Sequence, residues 1–259
     1  MSERPIVVKV GGSTLGAHDT SLRDIAGARR AGRAVVVVHG GGATVSAWLE
    51  RMGMTATFVR GLRVTDAATL DVVVAVLAGL VNTQLVAELG ALGAPAVGLS
   101  GADGMMLQAH RFDEELGFVG RIHAVNARPV EELLRLGQLP LIAPIAVATD
   151  AAGGQLLNTN ADTAAGELAA ALHAEQLVFL TDVEGVLDEE KRVLPRLTAA
   201  QAGELVASGV ASGGMVPKLE AAVRAASSGC ATRIVDGTAE GALARVLRGE
   251  AVGTTVAAG

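Results

Sequence analysis

Two lysines stand where lysine is unexpected. Lys9 interrupts the β-branched run of "RPIVVKVGGST", which reads as a buried strand in which an ammonium must be desolvated. Lys218 lies in "SGGMVPKLEAAV", just after a glycine pair and at the start of a helix. The chain has one further lysine, Lys191 in the charged loop "LDEEKRVL", which reads as solvated; every other member of the 21 Lys and Arg is arginine. A compact ammonium acts as a point donor and can follow charge from one phosphate oxygen to another, whereas a guanidinium imposes a fixed planar fork. Glycine clusters end three apolar runs: "GGST", "HGGGAT" and "SGADG". Backbone N–H groups of such turns, and of the helices that follow them, bind anions. A strand-end or helix-surface lysine can also simply snorkel to water. Lysines and glycine turns occurring together favour phosphoryl transfer, which needs mainly positioning and electrostatic stabilisation.

The elements that must position these groups follow from the apolar pattern. "IVVKV" and "AVVVVHG" read as strands, the second continuous enough to be buried on both faces. "SLRDIAGARRAG" reads as a helix capped at Asp19, Thr20 or Ser21 and stopped at Gly32. "GATVSAWLERMG" and the long "DAATLDVVVAVLAGLVNTQLVAELGALG" read as helices, the latter kinked near Gly79. "PAVGLS" and "LPLIAPIAV" read as strands, and "GMMLQAHRFDEELGFVGRIHAVN" as short antiparallel strands inserted into the pattern. After "NADTAAGELAAALHA" the alternation resumes through "QLVFLT", "MVPKLEAAVRAASSG" and "ATRIVDG". Such alternation predicts a largely parallel, doubly wound sheet with helices on both faces. Ligands bind at the carboxyl ends of such strands, where the glycine clusters fall. The stretch 145–160 reads as the join between two lobes of one continuous sheet.

Composition excludes several classes. A net charge of −6 and a pI near 5.4, with Phe 4, Trp 1 and Tyr 0, leave neither the basic surface nor the aromatic platform that nucleic acid requires. The single cysteine, Cys230, rules out an internal disulfide and reads as a small buried residue. "MSERPIVV" lacks a signal-peptide layout, and the longest apolar run, Val72 to Val81, is too short to span a bilayer, so the reading is a soluble cytosolic protein. The GxxxxGK[ST] loop is absent, and Val45 stands where a dinucleotide fingerprint needs its third glycine. "HGGG" occurs in esterase oxyanion holes, but the nearest nucleophile elbow, "GLSGA" around Ser100, ends in Ala102, so a Ser100 carboxylesterase is a second reading.

In order along the chain, "VVKVGGST", "VVVVHGGG", "FVRGLRVTD", "GLSGADG", "LGFVGRI", "LLNTNADTAAGELA", "FLTDVEGVL" and "SGGMVPKLEAA" resemble the amino acid kinase family, from about Pro5 to the C-terminus. The resemblance implies a three-layer α/β/α sandwich with a mainly parallel open sheet. Its N-terminal lobe (about 1–155) would hold an amino-acid substrate and form the contact of a homodimer, and its C-terminal lobe (156–259) would hold the nucleotide. Within the family the series is most similar to members that use ATP to phosphorylate the γ-carboxylate of N-acetyl-L-glutamate in arginine biosynthesis. A carboxylate is already ionised near neutral pH, with an intrinsic pKa of about 4.3, so no general base is needed. His39 accordingly reads as a packed or loop-supporting residue.

By the same resemblance Lys9 and Lys218 would flank the transferring phosphoryl group, and Asp162 would receive and orient both. Backbone N–H groups around Gly11, Gly12, Gly41 and Gly42 would contact phosphate and acyl acceptor. Arg63 would grip the substrate α-carboxylate, and Asn158 and Asn160 would hydrogen-bond the acetylated amino acid. Without the family, Arg63 would read as a surface loop arginine, and Asp162 as an acid serving the helix dipole. Thr181, Asp182, Val183, Gly185 and Val186, with Ser212, Gly213, Gly214 and Met215, would line the adenine and ribose pocket. Mg²⁺ would arrive with ATP, held mainly by phosphates, with no dedicated protein metal site. Ala102 departs from the family, many members of which carry a basic residue there. "MSER" before Pro5 is too short for the extra helix of arginine-inhibited hexameric members, and the C-terminal "EAVGTTVAAG" is short, so the expectation is an arginine-insensitive homodimer. Rival readings are a sibling kinase acting on carrier-protein-linked aminoadipate or glutamate, and a non-catalytic metabolite sensor on the same fold.

Overall fold

A computed structural model describes residues 4–11, 20–150, 154–188 and 190–259. The chain begins with β1 (Ile6–Val10), α1 (Ser21–Arg30), β2 (Val35–His39) and α2 (Gly42–Arg51). A hairpin of β3 (Phe58–Val59) and β4 (Leu62–Arg63) leads to α3 (Ala67–Val74), a π-helical segment Ala75–Val81 and α4 (Asn82–Ala91). Then come β5 (Ala96–Ser100), β6 (Leu107–Arg111), β7 (Gly120–Val125), α5 (Arg128–Arg135), β8 (Leu139–Ala143), β9 (Ile145–Ala148) and β10 (Leu156–Asn158). The remainder is α6 (Ala161–Ala171), β11 (Gln176–Thr181), β12 (Arg196–Thr198), α7 (Ala199–Ala207), α8 (Met215–Ala226), β13 (Ala231–Asp236), α9 (Ala242–Leu247) and β14 (Thr254–Ala257).

The main sheet has the order β12-β14-β13-β11-β1-β2-β8-β5. Its pairings are parallel except β13 with β14. Alternation along β1 sends Ile6, Val8 and Val10 into one apolar core and Val7 into the other, on the face that Lys9 shares. The first core is closed by residues of α1, α2, α9 and the α3–α4 helix, and the second by α5, α6, α7 and α8 together with the small sheet β10-β9-β6-β7. This is the expected three-layer α/β/α sandwich, with helices covering both sheet faces.

Three local readings are refined. The strand expected over "LPLIAPIAV" is two: Pro144, which has no N–H to donate, separates β8 in the main sheet from β9 in the small one. At Gly79, where a kink was expected, the helix carries the π-helical segment Ala75–Val81. The helix carrying the apolar run is longer than that run. Ala67–Ala91 spans 25 residues at a hydropathy of 1.9, long and apolar enough to cross a membrane by length and composition alone. Its buried apolar side chains Val72, Val73, Val76, Leu77, Val81, Leu85 and Leu89 form one stripe at three- and four-residue spacing and pack in the first core, as in a core helix. Cys230, as expected, is buried.

Candidate active site

The site forms where the order of strand addition reverses about β1. From β1 the chain passes to β2 on one side, while β11, on the other, feeds β13; the carboxyl ends of β1, β2 and β11 therefore open onto a crevice. Lys9, one residue before the end of β1, is only 8% exposed, and its Nζ lies 2.8 Å from Asp162 Oδ1. Lys218 Nζ lies 3.1 Å from Asp162 Oδ2 and donates to the Gly214 carbonyl at 3.1 Å. One carboxylate, itself 5% exposed, thus carries two ammonium groups. The helices that bring them together pack very closely. A Cβ on Gly166, one turn beyond Asp162, would lie 2.7 Å from Ala221 Cβ, three residues beyond Lys218. Asp162 is held at the start of α6 by the Asn160 cap, whose Oδ1 accepts from the N–H groups of Asp162 and Thr163. A carboxylate in the first turn also complements the helix dipole.

Beside this trio is a cavity of about 230 Å³ lined by Lys9, Gly41, Gly42, Arg63, Asn158, Asn160 and Asp162, among others. Its glycine wall is the turn from β2 into α2. The first bond inside α2 runs from Val45 N–H to Gly41 O, so the N–H groups ahead of it have no intrahelical partner and are available to an anion. Gly41 has φ +151°, and a Cβ there would sit 2.6 Å from Leu77 Cδ2, so only glycine fits. Arg63 is delivered by the β3–β4 hairpin, whose two central residues, Arg60 (φ 52°) and Gly61 (φ 78°), both have positive φ, as a tight type I′ turn demands. It is 8% exposed, not a surface loop residue. Its Nη2 donates to Gly42 O and Ser46 Oγ, both at 2.9 Å, and its guanidinium lies 4.7 Å from the Phe58 ring centroid. Nη1 is buried and without a partner among the described residues, and burial lowers the pKa of the group. Asn158 Nδ2 donates to Thr65 Oγ1 at 3.1 Å, which leaves its second N–H and its carbonyl oxygen for a ligand.

A larger cavity of about 930 Å³ adjoins the first and shares Gly61, Leu62, Val119, Asn160 and Asp162 with it. Its far wall includes Gly213 and Gly214, and its rim carries Arg60, Phe112 and Arg121. Ser212 is exposed, and Met215 opens α8 while packing partly on the core. Thr181 ends β11, and the exposed Asp182 and Val183 follow it out of the sheet. Two of the residues expected at the nucleotide are buried. Val186 is 2% exposed, its N–H goes to Thr254 Oγ1, its carbonyl accepts from Leu194, and it packs in the second core. Gly185 packs against the same threonine, where a Cβ would come within 2.7 Å of Oγ1. Gly11 donates its N–H to Leu180 O, extending the sheet. Gly12 lies outside the described residues.

A profile of the Amino acid kinase family matches residues 4–236. The chain belongs to the amino acid kinase family. An acetylglutamate kinase of Dehalococcoides mccartyi is 42% identical over 259 residues, 99% of this chain and 95% of that one. An acetylglutamate kinase of Solibacter usitatus is 46% identical over 253 residues, 96% and 97% of the two chains. Among solved structures, smu.665 from Streptococcus mutans UA159 superposes with a TM-score of 0.82 at 30% identity, covering 98% of each chain.

For a member of the amino acid kinase family, two further features matter. Ser100, the would-be esterase nucleophile, donates to Asp103 Oδ2 at 2.9 Å, and no described histidine bonds to it. His39 is fully buried and its pKa is lowered to about 4, chiefly by burial, so it is neutral near pH 7 and faces the protein, in keeping with a packed residue. The family reading overlooked Arg60. This hairpin residue ion-pairs with Asp113 and, at 3.6 Å, with Glu115, and so ties the hairpin carrying Arg63 to the β6–β7 connection. The flanking strands Phe58–Val59 and Leu62–Arg63 are only two residues each, so no local pattern signalled it.

Proposed function

We propose that the enzyme transfers the γ-phosphoryl group of ATP to the γ-carboxylate of N-acetyl-L-glutamate, the first-lobe cavity holding the amino acid and the larger one the phosphates. The observation that carries this is the buried Lys9–Asp162–Lys218 trio directly beside a cavity whose one buried arginine has an unpartnered Nη1. An α-carboxylate on Arg63 would complete that arginine, as a planar fork does well. Asn158 would accept the acetamido N–H through its free carbonyl oxygen, and Asn160, with Oδ1 spent on the cap, would donate through Nδ2. A γ-carboxylate oxygen then forms a bond to the γ-phosphorus as the bond to the β–γ bridging oxygen breaks. ADP departs with that electron pair, leaving an acyl phosphate.

Repulsion between two anions is the barrier to be offset. Two ammonium groups and the α2 N-terminus offset it without needing any proton movement. Because Asp162 is occupied by both lysines, Mg²⁺ is assigned to the phosphates of ATP rather than to this carboxylate. Thr181, Asp182, Val183, Ser212, Gly213 and Gly214 are proposed to face the nucleotide, and the amino-acid lobe is proposed to form a homodimer, measurable by light scattering. ADP release with N-acetylglutamate, glutamate and carbamate tested side by side should favour the first. A preference for glutamate or carbamate, or turnover only of a carrier-linked substrate, would overturn the reading.

A further inference from the structure

The phosphoryl-transfer reading leaves unused a buried pair of side chains that reaches the glycine turn from behind. Asn82 begins α4 immediately after the π-helical segment and is 4% exposed. Its Nδ2 lies 3.1 Å from Leu141 O, 3.3 Å from Leu99 O and 3.1 Å from His39 Nε2. Two of these partners are carbonyls, which can only accept, so the amide must present its NH₂ there. The Gly40 carbonyl can only accept from His39 Nδ1, so in the neutral ring Nε2 is the unprotonated nitrogen and faces the amide donors. The ring proton sits on Nδ1, 2.7 Å from the Gly40 carbonyl, to which it donates. Gly98 leaves room for this amide, since a Cβ there would lie 2.0 Å from Asn82 Oδ1. The same helix touches the turn a second time, through Leu77 against Gly41.

We propose that Asn82 is a positioning residue for phosphoryl transfer: it holds His39 as the Nδ1–H tautomer, whose N–H grips the Gly40 carbonyl and fixes the turn from which Gly41 and Gly42 face the cavity. This rests on the function proposed above. Two elements converge on one peptide, and a π-helical insertion sets the rotation at which the amide meets three strands. Such insertions recur at functional sites. The turn that depends on this contact supplies the donors aimed at the anionic reactants, and small displacements of such donors are costly in rate.

The test separates the two nitrogens of His39 after wild-type turnover of N-acetylglutamate has been measured. Asparagine at position 39 places a donor near the Nδ1 position, whereas glutamine places its amide near Nε2. His39→Asn should keep kcat within about fivefold of wild type, while His39→Gln and Asn82→Leu should lose about 10- to 100-fold in kcat, with KM for ATP nearly unchanged. Adding Asn82→Leu to His39→Asn should cost little further. Equal activity of the two His39 variants, or a folded Asn82→Leu enzyme with wild-type kcat, would overturn the proposal. The ¹⁵N signature of His39 in the unmodified protein needs no variant to fold: an Nδ1–H tautomer supports the account and an Nε2–H tautomer sinks it. A wild-type enzyme inactive on N-acetylglutamate would refute the proposed function instead, and the tautomer would still decide this one.

Discussion

Asp162 holds two ammonium groups that would otherwise repel one another, and it does so at the edge of water. The pairing explains why lysine persists at two positions in a chain that otherwise uses arginine. A guanidinium at either position would occupy the carboxylate with a planar fork and could not pivot toward a moving phosphoryl group. Lys9→Arg and Lys218→Arg should therefore each fold, bind ATP and lose about 100-fold or more in kcat, a loss comparable to that of a preorganised transition-state donor. Steady-state kinetics with a thermal-melt control check this, and near-normal turnover would contradict the role. His39 makes a separate residue-scale prediction. Its folded pKa of about 4 lies below the ordinary value of 6.5, so between those pH values the unfolded chain binds a proton that the folded one refuses. Stability is then complete above pH 6.5 and falls as the pH drops toward 4. The gap is worth about 3 kcal/mol, and urea melts of wild type and His39→Asn across that range should show the slope in the first and its reduction in the second.

At the scale of elements, what matters is how near two helices can come. Gly166 lets α6 and α8 meet with only the Ala221 methyl between them, and Asp162 and Lys218 sit one turn back from that contact. Gly166→Ala should force the helices apart, cost about 1–3 kcal/mol by overpacking, and lower kcat by loosening the Lys218 pair. Chemical denaturation and kinetics on one preparation test both parts; a variant that is destabilised yet fully active would separate the packing from the site. Gly166 shows where sequence reading stopped. A glycine inside "NADTAAGELAAALHA" looks merely helix-weakening until the facing Ala221 is in view. The type I′ turn at Arg60-Gly61 and the Arg60 latch were hidden for a similar reason. Two-residue strands have too short an apolar pattern to register, and the partners Asp113 and Glu115 lie far along the chain.

At the scale of the whole molecule, the alternation of β-branched and Ala/Leu-rich runs made the parallel sheet legible, and the glycine clusters marked its ligand edge. The spatial order was not legible, because parallel neighbours such as β1 and β11 are set by packing of distant segments. The family resemblance supplied Arg63, Asn158 and Asp162, whose residue types alone read equally well as surface or helix-cap positions. It also assigned to the nucleotide Val186, which is buried in the second core. If the lobes divide their ligands as proposed, hydrogen exchange should slow in 58–63 and at the start of α2 with N-acetylglutamate. A non-hydrolysable ATP analogue should instead slow exchange in 181–184 and 212–215, and the reverse pattern would contradict the division.

The account turns on a carboxylate being the acceptor, and that can be read from the product. With ATP, N-acetyl-L-glutamate and hydroxylamine present together, an acyl phosphate is captured as a hydroxamate. The account predicts one hydroxamate formed for each ADP released, dependent on Lys9, Lys218 and Asp162. ADP released without hydroxamate would contradict it.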